Sequence, residues 1–291
     1  MRLDPFDLAA VDIATIGVES LHALSVGVGW PHRADDWRLL VDLGRGVAAL
    51  DEIGRVLGSA LWFPQAEGFA TVGMVITSPR LQARGAGAWL MGEVLAAAGA
   101  RPLGLNATRA AVRLYRGLGF VPEGPVFQHQ GAAAPAPPGE TPPPGAVLRE
   151  VAAADLPALA ALDAVAFGAP RPGVLGRLLA ASRGTLLLRD GRAGAFALRR
   201  PFGRGAVIGP VVASCDADAV AVVRRELSGA AGQVLRLDTR QPEGAFRTFL
   251  ARRGLVLYDR VETMARGRPW TAGARPAGAP VTYGLASHAL G

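Results

Sequence analysis

No lysine occurs among the 291 residues, so all 31 basic side chains are arginine. That absence closes three kinds of chemistry at once. A P-loop needs its lysine on the phosphates, pyridoxal enzymes need a Schiff-base lysine, and the protein-kinase plan needs one on a strand. Cysteine is nearly as scarce. Cys215 stands alone and has no partner for an internal disulfide, and four scattered histidines form neither H-x-x-x-H nor part of a C-x-x-C site. No metal site is expected. No apolar run approaches the roughly 18 residues that a membrane span requires. The opening MRLDPFDLAAVD carries acids where a secretory signal has a basic and then an apolar profile. The expectation is a cytoplasmic protein without a membrane partner.

What is present is apolar surface, 50% of the residues, enough for a sizeable core. Residues 131–146, within GAAAPAPPGETPPPGAV, are rich in Pro, Ala and Gly without apolar periodicity, the composition of a semi-rigid linker. This divides the chain into a first domain at 1–130, a second at 147–270 and a C-terminal tail at 271–291. Charge is divided unevenly, with 11 arginines against 12 acids up to residue 130 and 20 against 12 beyond it.

Hydrophobic spacing predicts helices over LAAVDIATIGVESLHALSV and RADDWRLLVDL, then strands at GVAALDE, RVLGSALWF and FATVGMVIT. A helix from AGAWLM, a strand PLGLNA, a helix TRAAVRLYRGLG and a strand FVPEGPVFQHQ follow. The second half repeats that order more loosely. Its strand-to-helix sequence runs from VLREV through LPALAALDAVAFG, TLLLRD, AGAFALRR, AVIGPVVA and ADAVAVVRREL to LVLYDRVETMARG. The expected class is α/β, two copies of one mixed fold, each a mostly antiparallel sheet flanked by helices.

One junction stands out. In QARGAGAWLM the glycines lie where a strand has ended and a helix begins, so unpaired backbone N–H groups point outward beside the positive end of the helix dipole. Such a junction holds an anion, and glycine lets a phosphate approach the backbone. The spacing is not the dinucleotide G-x-G-x-x-G, because Leu90 stands where the third glycine belongs. Without wider context, glycine at a helix start is also the mark of a simple tight turn.

The wider pattern resembles the GNAT acetyltransferase superfamily. Gln82, Gly85 and Gly87 fit Q-x-x-G-x-G/A, and LYRGLGF about thirty residues later matches a second motif of that family. VGWPHRADDW, LNAT, IGPVVA and LDTR are similar to a tandem GNAT type with a degenerate second copy. The resemblance implies acetyl-CoA as co-substrate. Gln82, Arg84, Gly85, Ala86, Gly87 and Ala88 would then hold its pyrophosphate, and Val75, Ile76 and Thr77 would pair with the pantetheine arm. Asn106 and Thr108 would approach the cofactor from the next strand, although the family commonly has Asn where Thr108 stands. Tyr115 would protonate the leaving thiolate, a modestly uphill step from a phenol with a reference pKa of about 10 to a thiol near 8.5.

The acceptor would be a primary amine of a small molecule or peptide. Trp30, His32 and Asp36, with Arg33 and Trp37, mix aromatic faces and polar ends as small-molecule pockets do. An equally open reading is a capped helix with Asp35 or Asp36 near its start and Trp37 in the core. Candidate bases are Asp36, His32, Glu67 and His129. At the matching junction of the second half, Asp216 and Asp218 would repel a pyrophosphate and disfavour a thiolate at Cys215, so neither a second CoA nor a reactive cysteine is expected. A different class, a non-catalytic CoA-binding or basic nucleic-acid-binding module, is suggested by the arginine excess. The arginines are dispersed, however, and lack interleaved aromatics, so no nucleic acid is expected. Oligomeric state is left open.

Overall fold

The computed structural model describes residues 7–81, 85–135, 142–271 and 276–291, and Glu67 by its backbone alone. The first half runs β1 (Ala9–Asp12), α1 (Val18–Gly27), α2 (Ala34–Leu43), β2 (Arg45–Leu50), β3 (Val56–Pro64), β4 (Ala70–Thr77), α3 (Ala86–Ala98), β5 (Leu103–Ala107), α4 (Val112–Gly117) and β6 (Val121–Ala132). The second half runs β7 (Ala146–Glu150), α5 (Leu156–Phe167), α6 (Pro172–Ala180), β8 (Arg183–Arg189), β9 (Arg192–Phe202), β10 (Gly205–Ala213), α7 (Asp216–Leu227), β11 (Val234–Thr239), α8 (Ala245–Arg252), β12 (Val256–Arg266) and β13 (Val281–Gly284).

These strands form one continuous mixed sheet in the order β1-β2-β3-β4-β5-β12-β6-β11-β10-β9-β8-β7, with β13 on β10. The two copies therefore exchange their last long strands. β12 pairs with β5 from Leu103↔Arg266 to Ala107↔Glu262, while β6 pairs with β11 from Phe127↔Thr239 to Ala132↔Val234. Between them β6 and β12 pair with each other, so the seam between the halves is a backbone ladder.

Strand alternation assigns the faces. Leu61, Phe63, Met74 and Ile76 of the first half join Phe196, Leu198 and Val212 of the second in one core under α1, α2, α5 and α6. On the other face the cores stay separate, Trp62, Val72 and Leu105 under α3 and α4, and Leu235 and Leu237 under α7 and α8. The helices α1 and α2 thus face their second-half counterparts across a shared interior.

Two sequence expectations are corrected. The segment read as one helix from Leu8 begins as β1, which pairs with β2 from Ala9↔Leu50 to Asp12↔Val47. The Asp12 carboxylate then accepts from Ala14 N at 2.9 Å and the Asp12 carbonyl accepts from the Thr15 hydroxyl at 2.7 Å, local bonds that compete with a helix until Val18. Residues 276–291, read as part of a tail, are integral. β13 pairs with β10, and Leu285, Ala286, Leu290 and Gly291 are fully or nearly fully buried.

Candidate active site

β4 and β5 run parallel for three residue pairs, ending at Val72↔Leu105. The next positions break the ladder. Met74 adopts φ 52°, and the pairing of β3 with β4 shifts register between Ser59 and Leu61. A bulge of this kind bends a strand and leaves its edge unpaired. Val75, Ile76 and Thr77 consequently leave β5, and among the described residues no strand pairs with them on that side.

The start of α3 lies at the mouth of this splay. Gly85 takes φ 82°, a left-handed conformation that glycine adopts without a Cβ penalty, and no acid occurs in the first turn. A Cβ at Gly87 would lie 3.3 Å from Leu114 Cδ2 of α4 and 4.0 Å from Thr77 Cγ2. Thr77, Gly87 and α4 therefore converge at the start of α3. Ala86 is buried at the helix start. Gln82 and Arg84 lie outside the described residues.

Tyr115, on α4, is buried beside Phe120, their ring centroids 5.8 Å apart, in the core under α3. Burial pushes its phenol well above the ordinary value, so the hydroxyl keeps its proton throughout the neutral range. Among the described residues its hydroxyl makes no hydrogen bond. Asn106 is more constrained than expected: its Nδ2 donates to the His288 carbonyl at 2.8 Å, and its Oδ1 accepts from Thr263 at 2.9 Å and Arg240 at 3.3 Å. Thr108 is exposed in the turn before α4, its carbonyl accepting from Ala111 N.

The second half has the same plan with the splay filled. β10 is parallel to β11 at Ala206↔Leu235 and Val207↔Arg236, then shifts register across Ile208 to Val211, where Gly209–Pro210 is cis. β13 pairs antiparallel with Val211, Val212 and Ala213 at that point, and Leu285 N donates to the Asp238 carbonyl of β11 at 2.8 Å. Asp216 and Asp218 occupy the first turn of α7. Asp216 accepts from the Tyr283 hydroxyl of β13 at 2.8 Å, and Asp218 pairs with Arg189 at 2.5 Å. Cys215 is exposed at the N-cap.

Across the shared interior, His32 and Asp36 meet second-half residues that sequence reasoning missed, and Trp30 packs near His32. His32 lies 5.7 Å from Trp30 and 5.3 Å, edge-on, from Phe202, centroid to centroid. Arg200 and Arg236 lie 5.9 and 5.5 Å from the Phe202 ring. Asp36 accepts from Arg33 N at 2.8 Å, from the Arg33 guanidinium, and from Gly203 N at 3.3 Å. Asp36 is thus both a helix cap and a tie to the β9–β10 turn, while Trp37 is wholly buried with its Nε1 on Ser25 Oγ. Burial, reinforced by Arg236, His288 and Arg200 and opposed by Asp36, lowers His32 to about 4. His32 is therefore neutral at pH 7, and a weak base. An open cavity of about 400 Å³ lies elsewhere, against α1 and the end of β4, lined by Ser20, Leu24, Arg55, Ser78 and Pro79 among others.

Family comparison agrees with this duplication. Residues 45–134 and residues 159–275 each match an acetyltransferase (GNAT) domain family. The chain is a tandem GNAT protein. A proposed acetyltransferase from Pyrococcus horikoshii superposes with TM-score 0.76 at 17% identity, over 98% of this chain and 96% of its own. A tandem GNAT protein from the clavulanic acid biosynthesis pathway gives 0.62 at 15% identity, over 90% and 99%. A GCN5-related N-acetyltransferase from Sphaerobacter thermophilus gives 0.60 at 16%, over 95% and 99%. Comparison with curated proteins gives no match.

Within this GNAT pair, Val75, Ile76 and Thr77 end β4, Gly85 precedes α3, Ala86, Gly87 and Ala88 form its first turn, and Gly87 approaches Thr77 and Leu114 of α4. His129 belongs elsewhere: its Nδ1 is 2.9 Å from the Leu255 carbonyl and its Nε2 accepts from Arg247. The Glu67 side chain is outside the described residues. Alternation along ALRRPF held a signal for Arg200, since it shares a face with the core residues Phe196 and Leu198. No helix of the described residues is long and apolar enough to cross a membrane.

Proposed function

We propose that the protein is an acetyl-CoA-dependent N-acetyltransferase that binds one acetyl-CoA per chain in the first-half cleft and acts on a primary amine. The carrying observation is the unpaired β4 edge beyond Met74, beside the acid-free, glycine-bearing start of α3. The fold belongs to acyl transfer, and these residues fit the acetyl-CoA co-substrate in particular. The main-chain amides of Gly85, Ala86 and Gly87 suit a pyrophosphate. The backbone of Val75–Thr77 suits an extended amide-bearing arm that adds to the sheet edge.

Bound acetyl-CoA supplies a thioester whose acyl carbon forms a bond to the amine nitrogen as its bond to sulfur breaks. Tyr115 holds a proton at Oη for the departing sulfur. Its raised pKa makes full transfer more uphill than for a free phenol, about 1.36 kcal/mol per pKa unit, so its first contribution is a neutral hydrogen bond to the developing negative charge. The ammonium proton of the acceptor must leave before attack, and a neutral His32 of low basicity is poorly suited to take it. The cytoplasm is the proposed setting.

Calorimetric titration of the full chain with CoA tests the reading, with one site per chain expected. Thiol release from acetyl-CoA across a panel of amines then identifies the acceptor. CoA binding without thiol release for any amine would favour the non-catalytic CoA-binding alternative.

A further inference from the structure

Resting on that reading of the first-half cleft, we propose that the acceptor carries a carboxylate and that Arg200, from the second half, receives it. Arg200 is 5% exposed, on the core-facing side of β9. Its Nη2 donates to the Ala286 carbonyl at 3.0 Å, while Nε and Nη1 are buried without a partner among the described residues. Neighbouring charges do not neutralise it. Arg33 is bonded to Asp36 and Arg236 to Asp238, so two guanidinium–carboxylate pairs flank a third guanidinium that has no carboxylate of its own at ion-pair distance among the described residues. A buried cation left in that state is strongly disfavoured unless an anion completes it.

The surroundings have the chemistry of a small polar pocket. The Phe202 ring lies against Arg200, Arg236 and His32, and His32 Nδ1 is a second buried nitrogen without a partner. Nε and Nη1 of Arg200 are obligatory donors, and a neutral imidazole adds one more when its tautomer places the proton on Nδ1. One uncompensated positive charge matches a carboxylate, with a single negative charge, better than a phosphate dianion.

This cluster is joined to the proposed reacting cleft by one short stretch of chain. Ala286 touches Arg200, the His288 carbonyl accepts from Asn106 on β5, and Ala289 packs on Gly73 beside the β4 bulge, where a Cβ on the glycine would lie 2.4 Å from Ala289 Cβ. An amino carboxylate held at Arg200 is therefore anchored by the segment that also braces the strand edge. This assigns the second half a positioning role, the selection of an acidic acceptor.

The test uses the full chain and matched probes: glycine, β-alanine, 4-aminobutyrate and phenylalanine, each beside its carboxamide. Calorimetry with and without CoA should show at least one amino carboxylate binding at least tenfold more tightly than its amide. Arg200→Gln should abolish that preference while leaving CoA affinity unchanged, and in turnover the loss should appear in KM rather than kcat. Equal binding of acid and amide, binding of neither, or a preference that survives Arg200→Gln overturns the proposal. Should Arg200→Gln fail to fold, the acid-against-amide comparison on the wild-type chain still decides. A chain that binds no CoA sinks the acetyl-transfer reading itself; one that binds CoA and treats acid and amide alike sinks only the carboxylate assignment.

Discussion

β4 and β10 occupy corresponding places in the two halves, each parallel to one neighbour for a few residues before bending away at an irregularity. Past β4 the strand edge faces a helix start that carries glycine and no acid. Past β10 the edge is taken by β13, and the helix start carries Asp216 and Asp218. The same backbone opening is thus an unpaired strand edge in one copy, among the described residues, and a structural joint in the other. The difference lies in what satisfies the strand edge. A backbone edge requires hydrogen-bond partners, and the second half supplies them permanently from its own chain.

The largest test of this comparison is to separate the halves. A chain ending at residue 135 leaves β5 without β12 and β6 without either neighbour, so we expect no cooperative thermal transition by circular dichroism. The full chain cut at a protease site placed within 136–141 should instead elute as one species. A soluble, cooperatively melting 1–135 fragment would show that the exchanged strands are dispensable.

Next in size is Gly87→Glu, which fills the space beside Thr77 and Leu114 and adds a negative charge. CoA affinity should fall at least about 10³-fold, ~4 kcal/mol, by calorimetry. The converse change, Asp216→Asn with Asp218→Asn, should create no second CoA site because β13 still fills the splay. A stoichiometry of two would mean that charge alone had closed it.

The two buried tyrosines sharpen the contrast. Tyr115→Phe should lower kcat by roughly 10²- to 10⁴-fold with CoA affinity unchanged, the usual contribution of a proton donor. Tyr283→Phe, which removes the hydroxyl on Asp216, should leave kcat intact and cost about 1 kcal/mol of stability in chemical denaturation. Reversal of these two results would exchange the roles assigned to the halves.

A further test concerns the interface. His32 titrates at about 4 when folded and near 6.5 when unfolded, so between those values the unfolded chain binds more protons and stability falls as pH is lowered. Asp238, which burial alone would raise, is held well below its usual range by Arg236 and His288, and its contribution is lost only below about pH 4. Melting temperatures should therefore decline from about pH 6.5, and His32→Gln should reduce the decline above pH 4, leaving the share of His129, which burial also lowers. An unchanged profile in the variant would place the acid sensitivity elsewhere.

Much of the helix and strand order was legible because it rests on local spacing. The glycines at 85 and 87 and the tyrosine of LYRGLGF also marked the start of α3 and helix α4, which come together beside the end of β4. The Leu8 helix misled because Asp12 and Thr15 favour local turn bonds over helix continuation. Strand exchange left no local trace, since β6 and β12 read the same whichever half they pair with. The cluster around Arg200 was hidden for a similar reason. Its parts come from residues 32, 200, 202, 236 and 288, which only the sheet brings together.

Exchange of β6 and β12 also governs how the chain can acquire its shape during synthesis. Asn106 and Thr263 bond across 157 residues, so the central strands of the first copy wait for the end of the second to emerge from the ribosome. Until then β5 presents an open edge, the kind of surface that invites pairing with other nascent chains. Contacts so distant in sequence slow folding. Productive folding of this protein therefore depends on keeping the first half shielded until its borrowed strand arrives, and conditions that stall translation in the second half should send the chain toward aggregation.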